Sequence, residues 1–190
     1  AQKLNKTSQE HVDNIADLNI QLKDILNLSY DDFLRTTSDR HKKGAQKLWE
    51  ELVEAGDIYK GNYEGYYCVG CEAYITEKEL IDGMCPIHKK KAKKFSEENY
   101  FFKLSKYSDQ IYKLIDSDTI QILPLSRKKE FLNVVKNGLT DVSFSRPKEA
   151  LKWGINVPND PNQVMYVWCD ALSNYITALD FENNGELFKK

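Results

Sequence analysis

The sequence carries two short half-sites that together can hold one metal ion, Cys68-x-x-Cys71 and Cys85-x-x-His88. In each half-site the two-residue gap lets a tight turn direct both side chains at one centre, and two such turns supply the four ligands of a tetrahedral zinc ion. Four protein ligands leave no position for water, so the ion would fold the segment rather than act as a Lewis acid. We therefore predict one structural zinc ion.

The competing interpretation is a redox pair formed by Cys68 and Cys71, with His88 incidental. A thioredoxin-type pair lies between a strand and a helix and has no second half-site. A zinc hydrolase is also disfavoured, because a catalytic zinc ion keeps one coordination position open for water. Structural zinc is the interpretation that the spacing favours.

Cysteine usage and hydropathy also bear on the cellular setting. Cys169 is far from the other three cysteines and is predicted to be a buried thiol, so the chain lacks the dense cysteine framework of a small secreted domain. No apolar run approaches the roughly 20 residues that cross a bilayer, and the N-terminus lacks a secretory signal. We expect a soluble protein in the cytoplasm, with an organellar matrix as the alternative.

Hydrophobic periodicity predicts helix, strand and helix in the first part of the chain. A capping box at Thr7 and Glu10 begins a helix over residues 8–27, and a short strand is predicted over residues 30–36. A second helix starts at Ser38 and ends at Gly56, which suits a left-handed C-terminal cap. Its predicted inward face is Ala45, Leu48, Trp49, Leu52 and Val53.

The rest of the chain predicts a small inserted module followed by more α/β structure. Residues 57–98 are rich in tyrosine and glycine and too few to build much core, so the metal would act as their staple. The remaining elements are helices at 105–116, 127–137 and 170–179, the last capped by Asp170, and strands at 142–145 and 164–168. The predicted domains are 1–56, 57–98 and 99–190.

Trp168 falls at the end of the last predicted strand, where ligands bind in open α/β sheets. Ala171 and Tyr175 are four residues apart and share a helix face, so with Leu172 they could line a narrow apolar pocket that suits a thioether. These residues do not single out methionine. Taken alone, they favour plain core packing of Trp168 and Tyr175.

Several segments, in order along nearly the whole chain, resemble methionyl-tRNA synthetases. The nine residues V-M-Y-V-W-C-D-A-L at 164–172, continuing to Tyr175, resemble the family's Y-V-W-x-D-A segment. Arg35-Thr36-Thr37 followed by His41 resembles its R-T-T-x-x-x-H element, and the approach to Cys68 resembles the entry into its zinc knuckle. Further matches are Tyr100-Phe101-Phe102, Gly138-Leu139, Ser145-Arg146 and Trp153-Gly154-Ile155.

The resemblance implies an α/β fold: a class I Rossmann-type catalytic domain interrupted by a connective peptide with a zinc knuckle. Family enzymes join methionine to ATP, with Mg²⁺, and pass the methionyl group to the 3′ end of tRNA(Met). The residues on methionine-pocket positions are Trp168, Ala171, Leu172 and Tyr175. Those on zinc-ligand positions are Cys68, Cys71, Cys85 and His88.

The sequence departs from the family in ways that bear on activity. It contains neither the H-x-G-H nor the K-M-S-K-S element, so nothing in it stabilises charge on a triphosphate. No residue is therefore assigned a catalytic role, and the isolated chain is predicted to be inactive without the rest of the synthetase. Lys129 replaces a common asparagine, and Cys169 replaces a larger apolar residue. The alternative function is a stand-alone zinc-binding module that interacts with RNA or protein.

Two further features are predicted to belong to the surface. Five of the six residues at 89–94 are lysines; they could contact the tRNA backbone, but with little aromatic interleaving a solvated turn is favoured. His11 and His41 have no cysteines nearby and are predicted to lie on the surface.

Overall fold

The computed structural model describes residues 1–68, 73–75 and 77–189. These residues form two compact units, one made of Ala1–Leu48 with Asp170–Lys190 and the other of Trp49–Cys169. The predicted division at residues 56 and 98 is a separate hypothesis about domains and stays a prediction. Among the described residues, no helix is long and apolar enough to cross a membrane.

The first unit is helical. Its elements are a 3-10 helix at Gln2–Leu4, α1 (Ser8–Ile25), the start of α2 (Asp39–Glu54), α6 (Asn174–Thr177), a 3-10 helix at Phe181–Asn183 and α7 (Glu186–Lys189). The capping box of α1 is confirmed: the Glu10 amide donates to Thr7 Oγ1 at 3.2 Å, and the Thr7 amide donates to Glu10 Oε2 at 2.8 Å. The prediction of this helix from a local signal therefore held.

The predicted strand at residues 30–36 is wrong, because this segment adopts irregular backbone and turns. Two backbone carbonyls of this segment accept hydrogen bonds from side chains rather than from a neighbouring strand. Lys23 Nζ donates to the Tyr30 carbonyl at 2.9 Å, and Ser38 Oγ donates to the Arg35 carbonyl at 2.7 Å. With these carbonyls satisfied locally, apolar residues at 33 and 34 do not suffice to make a strand.

Helix α2 largely follows its prediction. Ala45 and Trp49 are buried, but Val53 is 48% exposed and is not part of the inward face. Gly56 has φ +71°, its amide donates to Val53, and the Asp57 amide donates to Leu52. This pair of bonds is the Schellman pattern, so Gly56 ends the helix as predicted.

The second unit is built on two antiparallel sheets. The strands are β1 (Ile58–Cys68), β2 (Ala73–Ile75), β3 (Lys93–Phe102), β4 (Val142–Ser143), β5 (Ser145–Pro147), β6 (Asn156–Val157) and β7 (Asp160–Met165). The first sheet has the order β2-β1-β3-β4 and the second the order β5-β7-β6. The long strands β1 and β3 pair from Ile58 opposite Phe102 to Tyr67 opposite Lys93.

The helical segments of this unit lie between its strands along the chain, except for the last, which follows β7. They are 3-10 helices at Glu77–Glu79 and Leu104–Tyr107, α3 (Ser108–Asp116), α4 (Leu125–Lys136) and α5 (Val167–Asp170). Gly138, with φ +87°, follows α4 as predicted.

The strand predicted at 164–168 ends early, at Met165, which pairs with Ser145 of β5. The Cys169 amide then donates to the Tyr166 carbonyl at 2.9 Å, which closes a helical turn. Trp168 therefore lies on a short helix rather than on a strand, and Asp170 is the last residue of that helix rather than the cap of the next. The single helix predicted at 170–179 is wrong: α5 and α6 are separate four-residue helices.

Candidate functional site

Three of the four predicted metal ligands converge. Cys68 is the last residue of β1, and Cys85 and His88 lie in a tight loop. The loop is closed by backbone bonds from Lys89 to Cys85 at 2.8 Å and from Cys85 to Lys90 at 3.0 Å. The donor atoms of the three residues all lie within 4.8 Å of one another. Cys71, the fourth predicted ligand, lies outside the described residues, so the complete ligand set stays a prediction.

The donor set fits a zinc ion. Cys68 Sγ and His88 Nδ1 are 3.9 Å apart, and a tetrahedral zinc ion with bonds of about 2.3 Å to sulfur and about 2.0 Å to nitrogen separates such a pair by about 3.5 Å. Cys68 and Cys85 are buried in a small cluster with Ile75, against which Leu80 packs. Two shielded thiols and an imidazole match the ligand preference of zinc.

The large apolar side chains of the predicted methionine pocket are exposed to solvent. Trp168 is 51% exposed, Leu172 is 52% exposed and Tyr175 is 73% exposed, while Ala171 is partly buried. Plain core packing of Trp168 and Tyr175 is therefore wrong. Side chains of this size that are left exposed on short helical turns are available to a ligand.

His41 was predicted to lie on the surface, and this prediction is wrong: its side chain is fully buried. Its Nδ1 lies 2.9 Å from Thr177 Oγ1, and its Nε2 lies 3.1 Å from Asp170 Oδ1. Both partners are far away in the sequence, so spacing arguments could not reveal them. The only signal was the position of His41 at the end of the R-T-T-x-x-x-H element.

The lysines at residues 89–94 all have exposed side chains. Among the described contacts none of the five makes an ion pair, which is compatible with either a solvated turn or an anion-binding surface. Two of them, Lys89 and Lys90, form backbone hydrogen bonds with Cys85 and so belong to the metal loop, residues 85–90.

Comparison with known proteins matches the whole chain to one family. Residues 1–94 and 76–190 match the family described as "tRNA synthetases class I (M)". The methionine–tRNA ligase of Caldanaerobacter subterraneus is 46% identical over 96% of this chain, and that of Clostridium tetani is 48% identical over 96%. The chain spans about 28% of the length of both relatives.

A solved structure is similar over the full chain. It is that of "Mycobacterium tuberculosis methionyl-tRNA synthetase in complex with methionyl-adenylate", with a TM-score of 0.84 and 35% sequence identity. The match covers 100% of this chain and 38% of that chain.

Proposed function

The chain belongs to the class I tRNA synthetases (M), and from that premise we propose that it is part of an enzyme that joins methionine to ATP and transfers the methionyl group to tRNA(Met). The family match confirms the predicted class I α/β fold. The observation that carries the proposal is the structural similarity, over the whole of this chain and 38% of the other, to a synthetase in complex with methionyl-adenylate. Methionine, ATP with Mg²⁺, tRNA(Met) and the remainder of the synthetase polypeptide would be the partners, in the cytoplasm.

We assign the methionine side chain to Trp168, Ala171, Leu172 and Tyr175. The exposure of the tryptophan, leucine and tyrosine supports this assignment, because three large apolar groups in solvent gain free energy when a ligand covers them. A thioether packs favourably against aromatic rings, and a small alanine leaves room for it. Selectivity for methionine would come from that match of shape and polarisability.

The metal loop has a structural part in this proposal. Cys68, Cys71, Cys85 and His88 would hold one zinc ion, which when bound links the end of β1 to the 85–88 turn. The convergence of three donor atoms supports this. Because the chain's own ligands would complete the coordination sphere, the ion would not touch the substrate.

The test uses the polypeptide encoded by the complete reading frame. We expect methionine-dependent exchange of pyrophosphate into ATP from it, and none from the isolated 190-residue chain, which lacks the two ATP-handling elements. Absence of exchange by the complete polypeptide would contradict the proposed function. Exchange by the isolated chain would refute the prediction that this part is inactive alone.

The site assignment is tested by Trp168→Ala in the same polypeptide. Loss of the aromatic contact is expected to raise the KM for methionine by about tenfold, which corresponds to about 1.4 kcal/mol. Trp153→Ala is the matched control, because Trp153 is 48% exposed, close to the 51% of Trp168, and is not assigned to the site. Equal effects of the two substitutions would remove Trp168 from the site.

The alternative is a zinc-binding module that interacts with RNA or protein without catalysis. The complete reading frame separates the two: an enzyme requires the H-x-G-H and K-M-S-K-S elements, and an interaction module does not. RNA binding by a polypeptide that lacks both elements and shows no exchange would favour the alternative.

A further inference from the structure

We propose that His41 is a positioning residue for the methionine site. Its imidazole holds Asp170 and Thr177, and so fixes the segment 170–177 that carries Ala171, Leu172 and Tyr175. This inference rests on the proposed function. In this role His41 does not contact the substrate, but it determines the position of residues that do.

The segment has a buried side and an exposed side. The side chains of Asp170 and Thr177 both contact the ring of His41, so they lie on the same side of the segment. Ser173, between them, is 2% exposed, and its hydroxyl donates to the Asp170 carbonyl at 2.7 Å. Leu172 and Tyr175 lie on the exposed side. His41 therefore contacts the buried side of the segment, and the exposed side carries residues assigned to methionine.

The hydrogen-bond partners define the roles of both ring nitrogens. Asp170 is an acceptor, so His41 Nε2–H donates to its carboxylate at 3.1 Å. The Thr177 hydroxyl can donate to His41 Nδ1 at 2.9 Å or to the Asn174 carbonyl at 3.4 Å, and the shorter contact is with the ring. The ring thus donates at one nitrogen and accepts at the other, which joins two points of the segment through one rigid group.

Gly44 independently supports close packing between α2 and the 170–177 segment. It lies three residues after His41 on α2, on the same helix face. A Cβ at Gly44 would lie 2.3 Å from Thr177 Cγ2 and 3.2 Å from Thr177 Cβ, so no other residue fits without movement. The methyl group of Thr177 cannot rotate away freely, because the same rotation would carry Oγ1 away from His41. The helix and the segment are thus matched at two adjacent contacts.

The experiment measures kcat and the KM for methionine and for ATP by pyrophosphate exchange in the complete polypeptide. His41→Leu keeps an apolar body but removes both polar contacts. We expect it to raise the KM for methionine by about tenfold while the KM for ATP changes by less than about twofold, since small displacements of positioned groups are costly. His41→Gln retains a donor for Asp170 and is expected to recover part of the loss.

Two further variants keep the test decisive. Thr177→Val has nearly the shape of threonine without its hydroxyl, and it is expected to raise the KM for methionine in the same direction even if His41→Leu folds poorly. His11→Gln is the control, because His11 lies on α1 and is only partly buried. It should leave both KM values unchanged.

Failure of the inference differs from failure of the proposed function. A merely structural role would lower the amount of active enzyme, and with it the apparent kcat, without changing the KM for methionine. That result in both His41→Leu and Thr177→Val would overturn the inference while the wild type stays active. A wild type without methionine-dependent exchange would overturn the proposed function itself and the inference that rests on it.

Discussion

The metal loop and the His41 network, which consists of His41, Asp170 and Thr177, both bring polar side chains together, but different interactions stabilise them. At the metal loop, Cys68 of β1 and His88 of the loop are 20 residues apart in the sequence, and the apolar cluster around them is small. In the network, His41 contacts residues 129 and 136 positions away and is completely enclosed. We expect the loop to depend on a bound ion for its stability, because few apolar side chains surround its donor atoms, whereas the network is assembled by packing. The comparison teaches that a small segment with little core can be predicted to rely on ligands close in sequence, whereas a contact between distant residues here depends on burial.

The largest effect is expected from removal of a metal ligand. Cys85→Ser should abolish stoichiometric zinc binding and unfold the loop, since structural zinc supplies about 10–16 kcal/mol of apparent binding free energy in zinc-finger peptides. Metal content and hydrogen exchange measure the outcome. Amides of residues 80–91 should lose protection, while those of α1 should keep it.

Cys169→Ala is the matched control for that prediction. Cys169 is equally buried, but its Sγ lies 3.9 Å from Met165 Sδ in another part of the unit. The variant should retain one zinc ion per chain. Full zinc content in Cys85→Ser would break the comparison, because the loop would then hold together without its predicted ligand set.

A smaller effect, on the stability of the whole chain, is expected from Gly44→Ala, which changes the packing between α2 and Thr177. The new Cβ would meet the side chain of Thr177 at 2.3 Å, and overpacking of this kind costs about 1–3 kcal/mol. The melting temperature should therefore fall, with zinc content unchanged. Gly154→Ala is the control, since its Cβ would meet its nearest neighbour at an ordinary 3.5 Å. Equal melting temperatures for the two variants would mean that α2 and the 170–177 segment are loosely matched.

The smallest effect is expected at the lysines of the metal loop. If they form a solvated turn, replacement of Lys90, Lys91 and Lys93 by glutamine should leave the salt dependence of tRNA binding by the complete polypeptide unchanged. Each lost phosphate contact would lower the slope of log K against log salt by about 0.7–0.9. A drop of about two would therefore assign the run to tRNA and make the loop a binding surface as well as a zinc site. The matched control replaces Lys129 and Lys136, which are exposed on α4.

Local signals in the sequence predicted local structure well. The capping box at Thr7, the left-handed Gly56 and Gly138, and the helices over most of α1, α2 and α4 all depend on residues within a few positions of one another. The spacing of the two metal half-sites is a local signal of the same kind, since two potential ligands two residues apart suggest the chemistry by themselves. The ordered motifs of the resemblance also gave the family, which the comparisons bear out.

Only the tertiary structure decided which residues are covered and which are left in solvent. The strand at 164–168 stops at Met165, which pairs with the first residue of β5, and the backbone bond from Cys169 to Tyr166 places Trp168 on a short helix instead. Among the described residues no strand pairs with residues 30–36, and the carbonyls of Tyr30 and Arg35 accept hydrogen bonds from side chains. His41 is buried because Asp170 and Thr177 come from the other end of the chain. The sequence by itself determined the short-range turns, caps and ligand spacings, because their energies depend on adjacent residues, whereas burial depends on partners that only folding brings together.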